Sequence, residues 1–337
     1  MSFDEMRELS IAVVGATGCL GRELVAQLSD YVEIRKLHLF ATKKRLGDYV
    51  EANGQNYSVE YLPEGNFPES VLNDVDVVIF CAPAKVVKEY APILMDEGIA
   101  LFDLSGALGS QFGLSLLGVH AGEDNFMEHR VCSLPSATAA SLSLLFHALI
   151  EEGAWNLQST VSLSASRFGQ GGIEELGAQI RALLSFQDGP QNIFPDGLAF
   201  DVMPNVGPVM ESGWTGAELH IASEMSTLLN KPEQYFRTTL QIVPIISGIM
   251  ASCQIGLSNE VTIEKISATL EKHDIFEVLP ALSNSRSALG DYHIHLGRLR
   301  LNPIHQGIDL QLSTDNVGLA VHNALALLKH FVEQEIL

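Results

Sequence analysis

The chain has 337 residues, 47% of them hydrophobic, a length that predicts two domains with sizeable cores. Its formal net charge is −21, from 20 basic and 41 acidic residues, so no nucleic-acid partner is expected. No apolar run is long and uninterrupted enough to span a bilayer, and the charged start Met1-Ser2-Phe3-Asp4-Glu5-Met6-Arg7-Glu8 lacks a signal peptide's apolar core, which predicts a soluble cytoplasmic protein without a membrane partner. In chain order, strands are predicted at 11–14, 37–41, 77–80, 100–103 and 130–133, with helical patterns at 21–27 and 85–97 between them. Such alternation implies a Rossmann-type, doubly wound parallel sheet, an α/β domain over residues 1–133. From about Ser133 the pattern changes. Helices are predicted at 136–151, 173–184, 216–229, 263–272 and 317–334, and strands at 159–166, 239–246, 251–257, 292–300 and 307–313. That mixture fits an α+β domain over 134–315, with a final helix within 316–337 completing the first domain. The proline- and glycine-bearing loop 187–197 is expected to be exposed or beside a ligand.

The stretch Gly15-Ala16-Thr17-Gly18-Cys19-Leu20-Gly21 lies between the first strand and the first helix. A strand, a glycine turn and a helix start in that order predict a dinucleotide site. Gly15 permits a tight turn, Gly18 lets the backbone approach a pyrophosphate, and Gly21 allows close packing of helix on strand. Ligands of such sheets sit at the carboxyl ends of the strands. Cys81-Ala82-Pro83-Ala84 and Asp103-Leu104-Ser105-Gly106 follow two such ends and are expected to face the cofactor. The second strand runs into Ala41-Thr42-Lys43-Lys44-Arg45, with three bases where an NAD site usually carries an acid. This favours the 2′-phosphate of NADP, against the alternative of a solvated basic turn.

The four cysteines, Cys19, Cys81, Cys132 and Cys253, form no CxxC pair. His293 and His295 fall on one face of a predicted strand with no third ligand evident, so no metal is expected.

The glycine turn, Lys88-Glu89-Tyr90-Ala91-Pro92 and Phe102-Asp103-Leu104-Ser105-Gly106 together resemble aspartate-semialdehyde dehydrogenase. Gly172-Ile173-Glu174-Glu175-Leu176, Ala199-Phe200-Asp201-Val202-Met203-Pro204, Gly297-Arg298-Leu299-Arg300 and Ser313-Thr314-Asp315-Asn316 extend the resemblance over almost the whole chain. It is nearest to the Usg-type branch of paralogues. The resemblance implies a place in amino-acid biosynthesis, an NADP-binding domain and a catalytic domain that also makes a homodimer. It also implies a reaction: a cysteine attacks an aldehyde, hydride passes to NADP, and phosphate takes over the acyl group. Carried over by resemblance, the cofactor residues are Gly15, Thr17, Gly18, Cys19, Leu20, Thr42, Lys44, Cys81, Ala82, Ser105 and Asn316.

The reactive positions depart from the pattern. The family cysteine follows Pro-Asn at a helix start, and here Leu134-Pro135-Ser136-Ala137-Thr138 puts Ala137 there, with Ser136 adjacent. The acid/base histidine becomes Ile249 and a substrate arginine becomes Ile242, in a strand whose Pro244 and Gly248 fix the register. A family Glu-x-Lys becomes Glu218-Leu219-His220, and a second arginine falls at Gly109. A loop expected near the nicotinamide reads Ser166-Arg167-Phe168-Gly169, so Arg167 either projects into the altered site or is solvated. Glu218, His220 and Arg167 are thus the polar remnants of a substrate site. Three functions follow from these residues. The first is a catalytically silent, NADP-binding homodimer. The second is an active NADP-dependent oxidoreductase on aspartate semialdehyde or another small carbonyl ligand, since direct hydride transfer needs no covalent nucleophile. The third is a non-enzymatic interaction subunit.

Overall fold

Strand β1 (Leu9–Val14) is buried along its whole length, as a central strand of a parallel sheet must be when both faces are covered. The computed structural model describes residues 7–42, 45–52, 54–282 and 284–337. Helix α1 (Cys19–Gln27) follows β1, then β2 (Ile34–Ala41), β3 (Tyr49–Ala52), β4 (Gln55–Tyr61), α2 (Glu69–Leu72) and β5 (Val77–Phe80). Next come α3 (Ala84–Asp96), β6 (Ala100–Asp103), α4 (Gly109–Phe112), α5 (Glu123–His129) and β7 (Val131–Ser133). The seven strands take the order β3-β4-β2-β1-β5-β6-β7. All neighbouring pairs are parallel except the β3–β4 hairpin, which the sequence reading did not anticipate. Successive strands leave β1 on opposite sides, so the sheet reverses its winding there and opens a crevice at the carboxyl ends of β1 and β5.

Two compact units divide the chain, one of Met1–Ser136 with Ala320–Leu337 and one of Ala137–Leu319. The second unit contains α6 (Ala137–Ala148), β8 (Ala154–Leu163), α7 (Gly169–Leu184), α8 (Gly216–Leu229), β9 (Phe236–Ile242), β10 (Ile249–Leu257), α9 (Ile263–Leu270), β11 (Phe276–Leu279), β12 (Ile294–Leu301) and β13 (Gly307–Thr314). Its six-stranded mixed sheet has the order β11-β12-β13-β10-β8-β9. Buried and exposed residues alternate along β8, β9 and β10, the period-two pattern of a sheet with one covered face. Two strands end earlier than expected. β8 stops at Leu163, and Ala165–Phe168 form a 3-10 turn instead of continuing the strand. β9 stops at Ile242, two residues before Pro244, which has no N–H to give a ladder.

Helix α10 (Asn316–Glu333) starts in the second unit and continues into the first. There Val321, Leu325, Leu328 and Phe331 join Phe102 and Phe126 in one core, with the Phe126 and Phe331 rings stacked at 4.2 Å. The opposite face of the same sheet buries Phe40, Phe67, Phe80 and Tyr90. No helix among the described residues is long and apolar enough to cross a membrane.

Candidate functional site

At the end of β1, Gly15 has φ +90, and its N–H and that of Ala16 both donate to Phe40 O, at 2.8 and 3.1 Å. A Cβ on Gly15 would stand 2.5 Å from Cys81 O, and one on Gly21 would stand 2.3 Å from Gly15 O. Both positions are therefore closed to side chains. Gly18 differs, because a Cβ there would meet only Gly15 O at 3.4 Å. Gly18 precedes α1, no side chain caps that helix, and its first turn holds no acid. An exposed backbone end with its positive dipole uncontested fits a pyrophosphate. Gly15, Thr17, Gly18, Cys19 and Leu20 are all partly exposed in this turn. Cys81 and Ala82 follow β5 directly beside Gly15. Thr42 is exposed just past β2, while Lys43 and Lys44 lie outside the described residues.

Asp103, fully buried, organises the loop after β6. Its Oδ1 accepts from Ser105 N at 2.9 Å and Ser105 Oγ at 2.6 Å, and its Oδ2 from Leu108 N at 2.9 Å and Ser133 Oγ at 3.1 Å. The Ser105 hydroxyl, expected to face the cofactor, is thereby engaged by Asp103.

In the second unit, Asn316 ties three segments together. Its Oδ1 accepts from Gly248 N at 2.9 Å and Ser166 Oγ at 3.0 Å, with Ser247 Oγ at 3.4 Å. Arg167 is exposed on the 3-10 turn beside this cluster. Glu218 is the third residue of α8, and it forms a capping box with Thr215. Its Oε2 accepts from Thr215 N at 2.8 Å and its Oε1 from Leu240 N at 3.0 Å, so this buried carboxylate clips α8 to β9 rather than facing solvent. His220 is 56% exposed, with Nε2 3.6 Å from Glu224 Oε1. Glu175, also buried, accepts from the backbone N–H groups of Asn192, Ile193 and Phe194. The loop expected to be exposed or ligand-adjacent is therefore anchored from below, with Phe194 fully buried.

Residues 10–115 match the family model "Semialdehyde dehydrogenase, NAD binding domain", and residues 143–318 match "Semialdehyde dehydrogenase, dimerisation domain". The chain belongs to the semialdehyde dehydrogenase family. It is 24% identical to aspartate-semialdehyde dehydrogenase 2 of Vibrio cholerae over 92% of this chain and 94% of that protein. It is 27% identical to the USG-1 protein homolog of Azotobacter vinelandii over 97% of this chain and 98% of that protein, in keeping with the Usg-type branch. The crystal structure of aspartate semialdehyde dehydrogenase II from Vibrio cholerae shares the fold, with TM-score 0.90 at 23% identity over 97% of this chain and 99% of that one.

Against the family's chemistry, the first residue of α6 is Ala137, which carries only a methyl group. Ile249 opens β10 and is 3% exposed, and Ile242 closes β9 at 2%. At Gly109 a Cβ would meet Leu114 Cδ2 at 2.4 Å, so Leu114 fills the space that any side chain there would enter. Cys132 lies within β7, fully buried among Phe102, Phe126 and Leu134. Burial pushes its thiol up to about 12, and Cys253 is raised to about 12 for the same reason. A thiol so raised is not a thiolate at neutral pH. His295, which the sequence left without a third ligand partner, stands beside Glu277 and Asp291. Glu277 was not legible in the sequence, because only the pairing of β11 with β12 brings it to His295, whereas Asp291 stands in the same segment as His295 and was missed there.

Proposed function

We propose that this protein is an NADP-binding homodimer that does not perform the phosphorylating aldehyde dehydrogenase reaction of its family. The observation that carries the reading is the methyl of Ala137 at the start of α6, together with the buried hydrocarbon of Ile249. By resemblance these are the nucleophile and acid/base positions, and neither side chain can attack a carbonyl or move a proton. Residues of a catalytic group act as a unit, and loss of one costs on the order of 10⁶ in rate in a serine protease. Loss of both leaves no measurable family turnover. Ile242 and Gly109, standing where cations are expected, also leave a small dianionic substrate without charge-assisted hydrogen bonds.

The nucleotide end carries the features needed for binding. Gly15, Thr17, Gly18, Cys19 and Leu20 would hold the pyrophosphate on backbone N–H groups, with Cys81 and Ala82 as the neighbouring wall. Thr42, Lys44 and the exposed Arg45 would take the 2′-phosphate that distinguishes NADP from NAD. When bound, the nicotinamide supplies a hydride-transfer centre; this chain's part is to hold and orient it. Support for a homodimer comes from the match to the dimerisation domain and from exposed apolar side chains in the second unit: Phe186 at 100%, Phe200 at 66% and Ile246 at 61%.

Calorimetric titration with NADP and NAD tests the cofactor reading, with Gly18→Val as control. Because a Cβ at Gly18 meets nothing closer than 3.4 Å, the variant folds while its side chain blocks the approach of phosphate. Saturable NADP binding that Gly18→Val abolishes is expected. Absence of saturable binding to either dinucleotide would favour the interaction-subunit reading instead.

A further inference from the structure

At one edge of the second sheet, two carboxylates and an imidazole converge outside the family's reactive and cofactor positions. Glu277 on β11 and His295 on β12 are register partners in a parallel pair, so both side chains leave the sheet on one face. Asp291 lies in the loop that enters β12. One ligand atom from each of the three stands within 4.8 Å of the other two. His295 Nε2 is 3.0 Å from Glu277 Oε2 and 3.4 Å from Asp291 Oδ2. Ligands bound at about 2.0–2.2 Å around a tetrahedral ion stand about 3.3–3.6 Å apart; the His295–Asp291 spacing of 3.4 Å lies in that range, and the His295–Glu277 spacing of 3.0 Å needs only a small outward shift of the half-exposed Glu277 side chain.

Burial and orientation set this cluster apart from a patch of surface acids. His295 is 6% exposed, and its Nδ1 has no hydrogen-bond partner among the described residues. Buried polar atoms are nearly always paired, and in this ring Nε2 alone is, through the two carboxylates it faces. His293 acts from behind: its Nδ1 is 2.5 Å from Asp291 Oδ1, and its backbone N–H donates to the same oxygen at 3.1 Å. Oδ2 of Asp291 is thereby left toward His295, the kind of outer support that orients a metal-binding carboxylate. The Glu277 side chain is 52% exposed, which leaves one side of the cluster open to water.

We propose that Glu277, Asp291 and His295 bind a divalent transition-metal ion of the Zn²⁺ class, which pins the edge strand β11 and the Asp291 loop to β12. One imidazole nitrogen with two carboxylate oxygens suits Zn²⁺ or Mn²⁺ better than Ca²⁺, which takes six to eight oxygens. The tautomer that binds through Nε2 carries its proton on Nδ1, where no described group accepts it, so the expected affinity is micromolar rather than nanomolar.

The test is calorimetric titration of untagged, EDTA-treated and desalted protein with Zn²⁺. One saturable site per chain is expected, weakened about tenfold or more in both Glu277→Gln and His295→Gln, and unchanged in His305→Ala, an exposed histidine outside the cluster. Glu277 lies half-exposed on an edge strand, so Glu277→Gln keeps the fold, which a melting curve without metal verifies. In the same melting experiment Zn²⁺ raises the midpoint of the parent protein and not of Glu277→Gln. Absence of a saturable site, or binding that Glu277→Gln leaves intact, overturns the proposal.

Discussion

Three glycines of one turn differ in what they forbid. A Cβ on Gly15 or Gly21 would meet backbone atoms at 2.5 and 2.3 Å, whereas one on Gly18 would meet only Gly15 O at 3.4 Å. Alanine at Gly15 or Gly21 is expected to cost about 2 kcal/mol or more, because backbone rather than a pliable side chain must give way. Alanine at Gly18 is expected to leave stability within about 0.5 kcal/mol, since it touches none of the features that make substitutions costly. Urea unfolding of the three variants checks this order, and equal losses at all three would contradict it. Thiol chemistry gives a second residue-level prediction. Cys132 and Cys253, whose thiols burial raises to about 12, stay unlabelled by iodoacetamide in the native protein at pH 8 and react once it is unfolded. Rapid native labelling of Cys132, followed by peptide mass, would reopen it as a nucleophile. The close approaches at Gly15 and Gly21 were legible in the sequence because glycine is informative wherever backbone must approach backbone. The role of Glu218 was not. Its partners are Thr215 N and Leu240 N, and nothing in a linear pattern says that β9 will lie beside the start of α8.

At the scale of elements, the strands that pack on both faces announced themselves as apolar runs, as Val77–Phe80 and Ala100–Asp103 did. The edge strands did not. β3 and β4 alternate polar with apolar over spans too short to stand out from the loops around them. β11 has only four residues and becomes a strand by pairing with β12. Helix α7 anchors the loop after it through Glu175 and Gln179, whose Oε1 accepts from Leu198 N and Ala199 N. The Glu175 carboxyl feels burial, which raises it, but backbone hydrogen bonds from Phe194, Ile193 and Asn192 outweigh that and lower it below its usual 4.5. A carboxyl lowered on folding stabilises the fold above the unfolded-state value, and that contribution is lost as pH falls through the folded one. Glu175→Gln is therefore expected to cost about 2 kcal/mol at pH 7 and to approach the parent's stability in acid. Denaturant melts between pH 7 and pH 3 measure the difference, and a gap that does not shrink on acidification would contradict the role given to this carboxylate.

For the whole molecule, the proposed function separates the frame of the family from its chemistry. The glycine turn, the reversal of winding at β1 and the dimerisation domain are kept, while methyl and hydrocarbon groups stand at Ala137 and Ile249. The order of motifs along the chain was enough to read the family from the sequence, since those motifs serve turns, caps and close packing that the fold needs whether or not it reacts. What a site without those reactive groups would receive was not legible, because the absence of a reactive group leaves no pattern naming its successor. If oligomerisation buries Phe186 and Phe200, sedimentation at micromolar concentration shows a dimer, and polar substitution of both yields monomers. The most direct test of catalytic silence is the reduction of NADP by the purified protein supplied with aspartate semialdehyde and inorganic phosphate. The account predicts no phosphate-dependent absorbance change above that of the heat-denatured protein; sustained, phosphate-dependent turnover would contradict it.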